Sequence, residues 1–335
     1  ALGYAALTTD TKGSKSTAIG TFSLNTQNFT TATDSFNTAV GYAAGNALTT
    51  GTESTFIGGL AGVAQTTGTR SVLMGYKAGN AVTTGDSNVA IGWQALMTED
   101  AHSNNTAVGA SALQTQNAGA HAYNTAVGFE AGKLLTTGTL NTIIGASAGD
   151  AITSGANNVV IGYQSLSTED AHGNNTSVGY QALKVQNAGL NAANTAVGYQ
   201  AGVAVTTGHS ATLLGTLAGG SLTTGNENTF VGYSSGSSGA TTFTGNTGLG
   251  FNSFAAGANI GDSNTAIGWS TLKNTNAGAA GNGHNTAVGY NAGRGNDTGY
   301  DNTFVGSGAG SSINTGYSNT FIGKGSGSTM TTGQS

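Results

Sequence analysis

The sequence contains no proline and no cysteine, and only 7% of its 335 residues are charged. Without cysteine there are no disulfide staples and no thiolate metal sites, and the redox compartment stays open. Soluble globular proteins carry roughly 25% charged residues, so this composition argues against ordinary globular domains. Nine Lys and Arg against fourteen Asp and Glu leave a net charge of −5. So few cations, spread over the whole chain, cannot neutralise a row of phosphates, and nucleic acid is excluded as a general partner. No apolar run reaches the roughly 18–20 residues that cross a bilayer as a helix, so no direct membrane insertion is expected of this segment.

What the chain does have is glycine, 57 residues of it, with much Thr, Asn and Ala. That mixture would suit a disordered tract, but here apolar residues keep a register. A glycine closing an Asn-Thr-Ala-Val-Gly unit recurs nineteen times from Gly3 to Gly323, mostly at steps of 17 residues and otherwise of 18, 19 or 21. A fixed short period is the mark of a repeat architecture. With no break in composition, residues 1–335 read as a single continuous repeat domain. It opens and closes inside a repeat, as a segment of a longer fibre protein would.

Each anchor glycine follows an apolar residue (Ile19, Val40, Ile57, Met74), and two residues earlier stands Thr, replaced only by Val72, Val89 and Val159. Side chains alternate along a strand, so these two columns share a face. Because Val replaces Thr, that face is expected to point inward, with Val40, Val108, Val127, Ile144, Ile161 and Val197 in the core. The column between them is Ala in many coils but Phe56, Leu73, Ile143, Phe230, Phe304 or Phe321 in others. Four residues before the anchor, Asn stands in fourteen coils, as a stacked amide ladder requires. Thr-Thr-Gly turns close many coils, where glycine can take a positive φ. Helical repeats are longer, and Gly, Thr and Asn are poor helix formers. The expected fold is therefore all-β: a parallel β-solenoid, or β-roll, of about nineteen 17-residue coils, each with two short strands and two turns.

A second order overlies the first. Four residues after the anchor the chain holds either Gly or a large residue such as Leu24, Leu96, Leu113, Leu166 or Leu183, and the large ones come in adjacent pairs of coils. The widest steps follow these pairs and carry related loops, Gln27-Asn28, Gln116 to Gly119, Gln186 to Gly189 and Asn276-Ala277-Gly278. They are expected to project from one edge, where binding or a neighbouring chain would meet them.

The units Ser71-Val72-Leu73-Met74-Gly75, Asn88-Val89-Ala90-Ile91-Gly92 and Ser16-Thr17-Ala18-Ile19-Gly20 resemble the head repeats of YadA-type trimeric autotransporter adhesins and related repeats of bacteriophage tail fibres. The resemblance implies a left-handed β-roll, three chains side by side, extracellular on a bacterial surface or a virion, and binding to host or matrix surfaces. The adhesin repeats are shorter, and no neck or coiled-coil stalk is visible here.

Taken by itself, a strand apolar on both faces also calls for assembly. If Phe56, Leu73, Phe230, Phe304 and Phe321 lie on the outer face, they form an apolar stripe that a homotrimer would bury. After most anchors comes an aromatic, among them Tyr42, Tyr76, Trp93, Tyr163, Tyr199, Trp269 and Tyr290. Facing out, this column is a stripe on which sugar rings can lie; facing a neighbour, it is packing. Its mixed composition favours packing.

No catalytic constellation stands out, and no enzyme activity or cofactor is expected. Glu99, Asp100 and His102 recur as Glu169, Asp170 and His172. Carboxylates beside an imidazole can hold a divalent cation, but the related Thr9-Asp10-Thr11-Lys12 lacks most of the ligands, and a solvated turn is the default. The function expected is a rigid structural or adhesive fibre segment. A glycan-cleaving phage spike would need converging carboxylates, and an ice-binding solenoid would need outward ranks of Thr.

Overall fold

The computed structural model describes residues 1–332 except 120, 190, 238, 240–241, 258–259 and 276–282. The loop at Asn276-Ala277-Gly278 and the turn glycine Gly333 lie outside the described residues. The chain folds as two compact units, Ala1–Gln164 with Thr168–His172, and Ser165–Ser167 with Gly173–Ser335. Each is a parallel β-solenoid, and no helix occurs among the described residues.

The first unit carries nine three-residue strands from Thr17–Ile19 to Val159–Ile161, and the second carries nine from Thr176–Val178 to Thr320–Ile322. Within each unit a strand lies parallel and in register on the next. Thr38 sits beside Thr55, Ala39 beside Phe56 and Val40 beside Ile57; Thr286, Ala287 and Val288 meet Thr303, Phe304 and Val305 in the same way. Every sequence column thus stacks on itself. A small added sheet pairs Gly13–Ser14 with Thr33–Asp34.

Apart from those two coils, only one strand forms per coil among the described residues. The return leg is a chain of tight turns, because residues two and four after the anchor take left-handed backbone angles, such as Ala43 at φ 52° and Gly45 at φ 58°. Its backbone groups still find partners: Gly45 N donates to Ala61 O at 2.9 Å and Leu60 N to Tyr42 O at 2.8 Å, both between coils. The anchor column must be glycine. Gly58 sits at φ 122°, and a Cβ there would lie 2.8 Å from the backbone of Gly75, closer than a side-chain carbon can approach.

The strand faces are the reverse of the expectation. The middle column points into the coil, so Phe56, Leu73, Ile143, Phe230 and Phe304 are fully buried. Val40, Val108, Ile161 and Val197 lie half-buried on the outside, and Val127 and Ile144 are 36% and 38% exposed. A coil this narrow has one interior, which the middle column shares with the residue four after the anchor and, in many coils, with the residue seven after it, such as Leu48 and Leu135. Where the middle residue is Phe, Leu or Ile the residue four after the anchor is Gly, as in Phe56 with Gly62 and Leu73 with Gly79; the smaller Val160 stands with Leu166. Where the middle residue is Ala the other is often Leu, as in Ala107 with Leu113. A Cβ on Gly62 would meet the Phe56 ring at 2.5 Å. The Asn ladder forms as expected: Asn124 Oδ1 accepts from the backbone N of Asn141 at 2.9 Å, and Asn141 Nδ2 donates to Gly155 O at 2.8 Å.

Candidate functional site

With the middle column inside, each unit presents an outer sheet face of two columns, Thr or Val and then Val, Ile, Leu or Met. No strand places a charge on it. Phe56, Leu73, Phe230 and Phe304 therefore cannot make a chain–chain contact, since the coil itself encloses them; Phe321 is partly buried and stacks on Phe304 at 6.1 Å. The apolar area open to water belongs instead to residues such as Leu214 and Leu249, each 46% exposed.

The aromatic column faces outward. Tyr42, Tyr76, Trp93 and Tyr163 in the first unit, and Tyr199, Trp269 and Tyr290 in the second, are about half exposed. Their rings also pack on one another along the edge. Tyr180 stacks on Tyr199 at 5.2 Å and 6°, Tyr233 on Phe251 at 5.3 Å and 11°, and Phe251 on Trp269 at 4.1 Å and 20°. Rings stacked this way cover each other's faces and turn their edges to solvent. A sugar can lie flat only on a ring whose neighbour is missing. Phe22 joins this edge from the adjacent column, against Tyr4 at 5.6 Å, which a column count after the anchor overlooks.

The loop glutamines do not project. Gln27, Gln116 and Gln186 are fully buried, and Gln116 Oε1 accepts from Asn124 Nδ2 at 2.9 Å. The residues that follow, Asn117 and Gly119, are the exposed ones.

Both His-carboxylate clusters form, each with three ligand atoms lying within 4.8 Å of one another. They are not solvated turns. Glu99 and Glu169 are fully buried. Glu99 Oε1 accepts from the backbone N of His102 at 3.2 Å and lies 2.7 Å from His102 Nδ1. Glu169 and His172 repeat this at 3.2 and 2.8 Å. Asp100 Oδ1 stands 3.5 Å from His102 Nδ1, and Asp170 Oδ1 3.9 Å from His172 Nδ1. Burial pushes the Glu99 carboxyl above its usual pKa, and the His102 hydrogen bonds offset part of that rise. The buried Glu oxygen already closes its own turn through His, so a cation would have to displace that bond.

A cleft of about 480 Å³ opens beside Tyr290 and is lined by Arg294 and Lys324. Lys324 takes a place in the aromatic column, while Arg294 belongs to no column that the repeat singles out, so periodicity marks the cleft only by a missing ring.

The chain matches no protein-family model, no curated protein and no solved structure. Among the described residues no helix is long and apolar enough to cross a membrane.

Proposed function

We propose that this chain is a rigid segment of an extracellular fibre, bacterial or viral, assembled side by side with copies of itself and turning its aromatic edge toward a host or matrix surface. The outer Thr–Val face carries this reading. It repeats in register and holds no charge across nine strands of each unit. Fully burying one Val, Leu or Ile side chain is worth about 1.5–3 kcal/mol, and a row of them exceeds what a lone soluble chain leaves open. A closed ring of three chains, the arrangement the adhesin resemblance implies, would cover the row and leave no free patch for runaway association. No turnover and no cofactor enter this reading. Sedimentation of the protein is expected to give three times the 32.7 kDa chain mass; a single-chain mass at every concentration would end the proposal.

One observation favours a second reading. The Thr column points outward, as an ice-binding face requires, where the sequence pattern placed it inside. Ranks of methyl and hydroxyl groups about 4.8 Å apart between coils form a regular, weakly hydrated lattice. Thermal hysteresis in a freezing assay, absent when Thr125 and Thr142 are changed to Lys, would support it. Its absence from the unmodified protein would dismiss it.

A further inference from the structure

The cleft at Tyr290 differs from the rest of the aromatic edge. Tyr233, Phe251 and Trp269 stack in succession, and Tyr290 follows them in the same column. The next two coils hold Ser307 and Lys324 there, each followed by glycine, Gly308 and Gly325. Nothing lies within 4 Å of where a Cβ on Gly308 would stand. Two missing rings and two missing side chains leave the hollow of about 480 Å³, and they leave the Tyr290 ring without a stacking partner on that side. The volume falls in the range of small-ligand sites, about 300–1,000 Å³.

The lining chemistry is selective. Arg294 and Lys324 are two of only nine basic residues in a chain of net charge −5, and both line this cleft with Ser307, Ser311 and Ser312. No acidic side chain is among the described residues that line it, and neither cation forms an ion pair among the described residues. A guanidinium grips a planar carboxylate through two parallel hydrogen bonds. Hydroxyls of Ser can donate to and accept from sugar hydroxyls, and an uncovered phenol face suits the apolar face of a pyranose.

We propose that this cleft binds a carboxylate-bearing sugar, with Arg294 and Lys324 on the carboxylate and Tyr290 beneath the ring. The proposal rests on the reading that the aromatic edge faces a glycan-bearing surface. Sialic acids and hexuronic acids share the required chemistry. Titration calorimetry with saturation-transfer NMR would compare 3′-sialyllactose, a galacturonate trisaccharide and neutral lactose on the full chain. The expected result is binding of at least one acidic sugar, none of lactose, and weakening by added salt. Arg294→Ala, Lys324→Ala and Tyr290→Ala should each weaken binding about tenfold or more, the loss expected for a charge-assisted or stacking contact. Tyr123→Ala, at an exposed tyrosine outside the aromatic column, should leave affinity unchanged. All four side chains are exposed, and circular dichroism would verify that the variants fold. Equal binding of lactose, failure of both acidic sugars to bind, or indifference to Arg294→Ala and Lys324→Ala would each overturn the proposal. Sedimentation reports assembly without any sugar, so a failed fibre reading and a failed cleft are told apart.

Discussion

At position 99 a carboxylate occupies a column that other coils fill with Leu48, Val82, Leu135 or Ile152, all fully buried. Loss of water raises the folded-state pKa of Glu99, and the bonds from His102 only moderate the rise. A raised pKa means that the folded chain holds this proton more tightly than the unfolded chain. The stabilising contribution is then complete below the unfolded carboxylate pKa of about 4.3, and it is lost as pH rises through the folded value. Glu99→Gln keeps the shape and removes the ionisation. It should therefore raise the melting midpoint at pH 7, with the gain shrinking toward pH 4. A lower midpoint at pH 7 would mean that the His102 bond outweighs desolvation. The Thr-Glu-Asp-Ala-His run was legible in the sequence, but its burial was not. Polar residues in a turn read as solvated unless the column they stack in is recognised as an interior one.

Within one coil, stability turns on the volume that the middle column shares with the residue four after the anchor. Interiors are close-packed, so that volume does not admit Phe in one column and Leu in the other. Phe56→Ala should cost about 3–5 kcal/mol by leaving a cavity. Gly62→Leu alone should overpack the same space and cost about 1–3 kcal/mol or more, since its Cβ would press on Phe56 and stand 2.8 Å from Leu73 Cδ1. Combined, the two changes recreate the Ala107–Leu113 type of coil, in which Leu113 adopts φ 47° where Gly62 has φ 55°. The double variant is therefore expected to be more stable than the sum of its parts by about 1 kcal/mol or more, as a chemical denaturation cycle would measure. Strict additivity would show that the columns fill separate spaces. Both columns were visible in the sequence, the Leu–Gly alternation and the Ala–Phe alternation alike. What the period alone left open was the face, because a three-residue strand with apolar residues on each side fits either way round. The opposed sizes of Phe56 with Gly62 and Ala107 with Leu113 decide it, since only residues that share an interior need to compensate.

For the molecule as a whole, nineteen anchors in register were enough to specify a parallel solenoid, while the cleft at Arg294 and Lys324, marked in the sequence only by two coils that lack a ring in the aromatic column, had to be found in three dimensions. The orientation of the strand decides what a single charge does to fold and to assembly. Ala126 and Val127 are neighbours on one strand; Ala126 is fully buried, and Val127 is on the outer face. An aspartate at 126 would be enclosed without a partner, and Ala126→Asp should destabilise the chain by several kcal/mol, on the order of 3 or more. Val127→Asp leaves the charge in water, so within a single chain it should shift stability by only about 0.5 kcal/mol. In a self-associated fibre the same residue meets a second copy, where an added charge repeated on each chain is opposed by its own image. Val127→Asp should then lower the sedimenting mass toward 32.7 kDa while keeping the β signal, and the melting midpoint should lose its dependence on protein concentration. If Val127→Asp unfolds the chain and Ala126→Asp does not, the strand is the other way round. If neither variant changes the mass of an assembled protein, the copies meet on a different face.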